Sequence, residues 1–338
     1  MASTVVDRIW RDTEPGEIEP TLAAVWRDVG RRSTVARAVM SNLVVVRASQ
    51  AGEPVDAYAA THIDTIDEVV GRHPSRLIVI VHEYGCPLTR APIATRVAVA
   101  TYGPPHARYA VEEVLVRSSC DEVSLPSIVR RLTRGDVPTT VWYLDDLSER
   151  LPVRGILAEA RQLIFDSQRW SDMATGVRVL VDATRDLRID IADLNWRRLA
   201  PVRDALRRMG EALPIDALRQ AQVRIRCAPQ ERAAAWLLAG WLAARLSLPH
   251  DVARAIVLEE PAMTARLAIA TNASETPLVE LGGNDISVAP PHARAYVHAI
   301  PRETQSDAIV NELGNLAGDA ALLDTLRALA ELTSAGSS

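Results

Sequence analysis

The chain has 338 residues, of which 48% are hydrophobic and 24% charged, and its net charge is −5. That length and apolar share suit two domains with sizeable cores, and the acidic balance lacks the basic stripe a nucleic-acid partner requires. All 38 Lys-plus-Arg positions are arginine, which removes the amine needed for Schiff-base chemistry, for anchoring pyridoxal phosphate and for a P-loop.

The opening residues, Met1 to Arg11, carry no apolar run of the signal-peptide kind. Arg11 to Pro20 is acidic with two prolines and reads as a loop. Thr21 to Gly30 can form an amphipathic helix with Leu22, Val25, Trp26 and Val29 on one face. Asn42 to Val46 and Leu77 to Val81 are short continuous apolar runs, the pattern of strands buried on both faces. Between them, from Pro54 to Gly71, Ala59, Ile63, Ile66 and Val70 recur at helical spacing. Strand, helix and strand at this length make a βαβ unit with parallel strands.

Ile93 to Tyr102 and Val111 to Arg117 alternate around a Gly-Pro-Pro-His connection and predict an antiparallel pair. A helix over Leu125–Arg134, a strand over Pro138–Leu144, a helix over Gly155–Gln162 and a strand over Leu163–Asp166 follow. Phe165 to Met209 then turns the chain from one α/β pattern to the next. Ser171 to Arg185 is helical, Asp193 is placed to cap another helix, and Pro201 divides or kinks that one.

Gln222 to Cys227 alternates as a strand with one wet face. Pro229 opens the apolar Ala233–Leu246 helix, in which Gly240 permits close packing. Its stretch Ala233 to Ala244 is too short to cross a bilayer. Four or five short strands follow between Ala255 and Ile300, with a hairpin turn at Gly282-Gly283-Asn284-Asp285. Ser306 would cap one long closing helix carrying Ile309, Leu313, Leu316, Leu323 and Leu326 inward. The fold class is therefore α/β in two units: a mixed, mainly parallel sheet flanked by helices, then a mainly antiparallel sheet packed with helices. The expected divisions are an N-terminal helix and loop at 1–34, domains at 35–168 and 169–333, and a disordered tail at 334–338.

No catalytic constellation stands out. His82-Glu83-Tyr84-Gly85-Cys86 lacks the second histidine of a zinc-protease helix, and His292 and His298 lack a third ligand. Glu112-Glu113, Asp145-Asp146 and Glu259-Glu260 are neighbours that point to opposite strand faces, and they read as solvated edges. His73-Pro74-Ser75-Arg76 reads either as a turn or as an exposed loop presenting Arg76 to a partner or a phosphate. Cys86, Cys120 and Cys227 are odd in number and dispersed, which fits a reducing, cytoplasmic location. Cys120, next to a helix start, is either a packed thiol or a redox-sensitive one.

Several of these pieces resemble one family in order and spacing. They are His73-Pro74-Ser75-Arg76, Cys120-Asp121-Glu122-Val123, Val137 to Trp142, Asp166-Ser167, Asp193-Leu194-Asn195-Trp196-Arg197-Arg198-Leu199 with Pro201-Val202-Arg203, and Gly240 to Ala243. The chain resembles the OpcA family, the assembly and activating proteins of glucose-6-phosphate dehydrogenase, over about residues 35 to 330. The resemblance implies a non-catalytic protein without cofactor or metal that binds the dehydrogenase and promotes its active oligomer. It makes His73, Arg76, Asp166, Ser167, Trp170, Asp193, Asn195, Trp196, Arg197 and Arg198 candidates for the partner contact or the domain junction. The alternative is a sugar-phosphate-binding enzyme or sensor of the same pathway.

Overall fold

The computed structural model describes residues 5–32, 34–50, 55–84, 94–104, 106–118, 124–149, 154–212, 223–248, 253, 256–259, 265–271, 278–290 and 293–334. Its first half runs β1 (Val5–Thr13), α1 (Ile18–Arg32), β2 (Ala36–Arg37), β3 (Ser41–Gln50), α2 (Val55–Arg72), β4 (Ser75–Tyr84), β5 (Ala94–Tyr102) and β6 (Tyr109–Ser118). It continues with α3 (Ser124–Leu132), β7 (Thr139–Tyr143), α4 (Arg154–Leu157), β8 (Gln162–Phe165), α5 (Met173–Leu187) and β9 (Asp190–Asp193). Among the described residues these strands form one nine-stranded sheet in the order β1-β5-β6-β4-β3-β7-β8-β9, with β2 beside β6. From β6 to β9 the strands along this path are parallel, and β5 and β1 add an antiparallel edge.

The apolar runs end where continuous hydrophobicity predicts. Leu43 to Val46 and Leu77 to Val81 are buried in the middle of the sheet, and they pair in parallel with Leu43 opposite Leu77. The helix between them closes the βαβ unit as expected. Two features differ from the reading of 1–34 and of the Asp193 region. Val5 to Thr13 is a strand, because it pairs with β5 at the sheet edge. Its alternation is hidden by Arg8, which turns inward to Asp67 and Glu113. Asp190 to Asp193 is a further strand of the same sheet, although only Ile191 and Ala192 are apolar within it.

The second half comprises α6 (Leu194–Arg198), α7 (Ala200–Ala212), β10 (Val223–Cys227), α8 (Arg232–Leu246), β11 (Val257–Glu259), β12 (Leu267–Thr271), β13 (Val279–Leu281), β14 (Asp285–Val288), β15 (Tyr296–Ala299), α9 (Gln305–Gly314) and α10 (Ala320–Ser334). Its six described strands order as β11-β10-β12-β13-β14-β15, antiparallel except for the β10–β11 pair. Pro201 falls in the first turn of α7, and the helical pattern is split there from α6. The turn at Gly282–Asp285 joins β13 to β14 and is closed by the Gly282 amide donating to the Asp285 carbonyl at 2.9 Å.

The single closing helix of the sequence reading is two helices, broken between Gly314 and Asp319. Thr304, not Ser306, is the cap. Its hydroxyl accepts from the Asp307 amide at 3.1 Å while the Asp307 carboxylate accepts from the Thr304 amide at 3.0 Å, a reciprocal capping box. The break lets the two helices serve different layers. Ile309 and Leu313 of α9 join the core between the first sheet and α2, and Arg72 reaches Asp307 at 2.6 Å. Leu322, Leu326 and Leu329 of α10 join the core shared with α8. A Cβ on Gly240 would lie 2.4 Å from Leu329 Cγ, so these two helices meet as closely as the glycine suggests. On the other face of the first sheet, one apolar core runs from Val44, Leu163 and Phe165 into Ile225, Leu237 and Ile286 of the second.

Candidate functional site

In the register of the sheet, Phe165 at the end of β8 lies opposite Asp193 at the end of β9. The residues that follow each strand therefore meet at the carboxyl edge of the parallel strands, where α/β sheets ordinarily place function. Asp193 accepts three hydrogen bonds there: from the Ser167 amide (3.0 Å), the Ser167 hydroxyl (2.7 Å) and the Asn195 amide (2.9 Å). The last of these is the helix cap expected of it. The Asn195 side chain donates to Ser167 Oγ at 3.1 Å. Burial pushes Asp193 up to about 7, reinforced by the Asp166 carboxylate and opposed by these hydrogen bonds. Ser167 has no exposed surface and both sides of its hydroxyl are engaged, so it cannot attack a substrate.

The arginines read as partner anchors are held from within. Arg198 makes a two-toothed pair with Asp166, at 2.9 and 2.7 Å. Arg197 binds Glu303 through two nitrogens, each at 2.7 Å, and Glu312 at 2.9 Å. It thereby ties α6 to the start and the end of the α9 region. Trp196 is 3% exposed, and its indole N–H donates to Asp319 at 2.7 Å, at the start of α10. Trp170 stacks on Phe165, ring centroids 5.5 Å apart, and a Cβ on Gly176 would press into its ring. Asp166, Ser167, Trp170, Asp193, Asn195, Trp196, Arg197 and Arg198 thus gather in one constellation beyond the ends of β8 and β9, tied through Arg197 and Trp196 to Glu303, Glu312 and Asp319 around α9 and α10.

Beside it opens a cavity of about 860 Å³, walled on one side by Asp193, Trp196, Arg198 and Arg203 and on the other by Leu281, Asn284, Ile300 and Arg302. Glu303, Glu312 and Asp319 also line it. Sequence reading did not single out Arg203 as a site residue. The signal available was its spacing, seven residues after Trp196, which puts the guanidinium 3.4 Å from the centroid of the Trp196 ring despite the break before Pro201. Arg302 and Asp319 arrive from distant sequence, and nothing local marks them.

His73 and Arg76 are elsewhere, at the amino edge of the same parallel strands. Arg76 is 4% exposed and paired with Glu112 and Glu19, which overturns the exposed-loop reading. The segment is the turn of the other reading: Ser75 donates to the His73 carbonyl at 2.8 Å and shares a hydrogen bond with Ser41. Burial lowers the His73 pKa, so the ring stays neutral. Glu112 and Glu113 do point to opposite faces, but neither is solvated. β6 is an interior strand, so Glu112 meets Trp26, Arg37 and Arg76 on one side and Glu113 meets Arg8 on the other. Asp145 and Asp146 are likewise occupied, accepting backbone amides from Ala48, Ser148 and Ser171. Cys86, Cys120, Glu260 and His292 lie outside the described residues, as do residues 335–338 of the expected tail. Among the described residues no group of three or more His, Cys, Asp or Glu could hold a metal ion, and no helix is long and apolar enough to cross a membrane.

Two family models match the chain. The glucose-6-phosphate dehydrogenase subunit N-terminal domain, of the OpcA assembly family, matches residues 66–182, and the C-terminal domain of the same subunit matches residues 189–326. No curated protein matches. A Klebsiella pneumoniae crystal structure, whose description as an oxidoreductase is itself provisional, is similar over 88% of this chain and 94% of its own. At 12% identity and a TM-score of 0.37, that likeness carries no argument. The paired domain matches cover most of the chain, and it belongs to the OpcA family of glucose-6-phosphate dehydrogenase subunits.

Proposed function

We propose that this member of the OpcA family is a non-catalytic accessory protein that binds glucose-6-phosphate dehydrogenase and promotes its assembly into the active oligomer. The observation that carries the reading is the pair of family matches, one for each half of the chain and both named for a subunit of that dehydrogenase. The dehydrogenase would supply the nicotinamide site and the base. This chain would act by binding its active oligomer better than its inactive form, since differential affinity is what moves such an equilibrium. The cytoplasm is the location this reading assigns.

For the docking surface we favour β15 over the junction arginines. β15 pairs only with β14 among the described strands and stands at the end of its sheet. All four of its residues are exposed, and Tyr296 and Val297 are 44% and 66% accessible. An open edge with accessible aromatic and aliphatic side chains can pair with a partner strand and seat its side chains. The C-terminal family match spans this strand, and the occupant we assign is the dehydrogenase.

The test is co-purification with the cognate dehydrogenase, together with a titration followed by turnover and mass photometry. A stable complex, a larger dehydrogenase oligomer and a higher rate at subsaturating substrate are expected. No complex and no change in oligomer or rate at a large excess of this chain would overturn the proposal.

A further inference from the structure

The cavity at the junction contains a guanidinium, Arg203, that makes no ion pair among the described residues. Arg203 sits over the Trp196 ring, its guanidinium carbon 3.4 Å from the centroid, and donates a hydrogen bond to the Trp196 carbonyl at 3.2 Å. Its Nε is buried without a partner, and no described carboxylate comes within ion-pairing distance. Burial draws its pKa down to about 10, against the pull of the more distant Asp319 and Asp193. Arg302 lines the same cavity from the second sheet's side. Its Nε donates to the Asn284 side chain at 2.9 Å, and it too has no carboxylate in contact among the described residues. The other arginines of the wall are matched: Arg197 to Glu303 and Glu312, Arg198 to Asp166, and Arg266 to Glu231.

A partly desolvated cation without a counter-charge is unfavourable, and an entering anion relieves it. Arginine's planar fork suits an oxygen-bearing anion in particular. We propose that this cavity is a binding site for a small oxyanion metabolite, its phosphoryl or carboxylate group held between Arg203 and Arg302. The cavity, about 860 Å³, lies in the size range of small-molecule sites and has room for a body beyond the anionic group. Asn284 and Asn315 on its wall offer amides to hydroxyls of that body. The cavity opens outside the carboxyl ends of β8 and β9. This site is independent of Arg76, whose charge is spent on Glu112 and Glu19.

The experiment is calorimetric titration of the full chain, without dehydrogenase, with sodium phosphate, sodium acetate and sodium chloride at matched ionic strength. Saturable binding of phosphate, acetate or both, with none for chloride, is expected. Phosphate alone assigns a phosphoryl group and acetate alone a carboxylate. Arg203→Gln and Arg302→Gln should each weaken that binding by about tenfold or more, the loss of one charge-assisted hydrogen bond. Because Arg302 is exposed, its variant keeps the test valid even if Arg203→Gln fails to fold. Absence of saturable binding for both oxyanions, or an affinity unchanged in Arg302→Gln, would overturn the site.

Discussion

The junction around Asp193 and the edge strand β15 use their side chains in opposite ways. At the junction, Asp166, Ser167, Asp193, Asn195, Trp196 and Arg198 engage their polar groups with one another and with Asp319 just before α10. At β15 the side chains of Tyr296, Val297 and His298 point into open surroundings and one backbone edge is unpaired among the described strands. The first is the most distinctive run of residues in the chain, and the second is a generic short strand. A distinctive sequence can mark a demanding internal joint as readily as a contact surface. Buried polar networks specify geometry because every member must be satisfied at once. A surface that takes a partner by strand addition presents an open edge and accessible side-chain area.

The strongest way to break this contrast is Trp196→Ala. It empties a buried site and removes the indole donor to Asp319, which keeps the Leu322 amide, so it should cost about 3–5 kcal/mol of stability by denaturant unfolding. A loss below about 0.5 kcal/mol, the range of ordinary surface changes, would place Trp196 outside the core.

The pH response probes the same joint. Asp193 holds its proton up to about 7 when folded, against an ordinary value of 3.8. Between those values the folded state binds a proton that the unfolded state releases. Stability therefore falls as pH rises through that window, by at most about 1.4 kcal/mol per unit, and levels off above it. Glu113, also raised by its burial, adds a slope of the same sign. Asp193→Asn should flatten the Asp193 share in unfolding curves taken across about pH 4.5 to about pH 8. An unchanged slope would mean that Asp193 titrates as an ordinary carboxylate.

Thr304→Ala is a smaller lever. It removes one arm of the capping box of α9, the helix whose end supplies Glu312 to Arg197, and should cost about 1 kcal/mol. If it also loosened the partner contact at full folded population, the separation of joint from docking edge would fail.

Much of the first sheet was legible because buried parallel strands write themselves as unbroken apolar runs, as at Leu43–Val46 and Leu77–Val81. The Asp193 cap and the break at Pro201 were legible because each has a local mechanism. Strand β1 was not, since an inward Arg8 spoils its alternation, and β9 was not, since it offers only Ile191 and Ala192. Glu112 and Glu113 misled for a related reason: their arginine partners come from elements far away in sequence, so a buried pair reads as a wet one. The same distance hid the cavity, whose walls come from α6, α7, the β13–β14 turn and the segment after β15. The constellation was visible as a set of residues, but that its side chains are held internally required knowing that Asp319, Glu303 and Glu312 return to meet it.

The most direct test is the affinity of the cognate dehydrogenase for the Tyr296→Asp/Val297→Asp double variant, measured by biolayer interferometry beside the unchanged chain. Both residues are exposed, so each substitution should alter stability by no more than about 0.5 kcal/mol. The account predicts affinity weaker by about tenfold or more, at an unchanged melting temperature, as for the loss of an apolar docking edge. Equal affinity for both chains would contradict it.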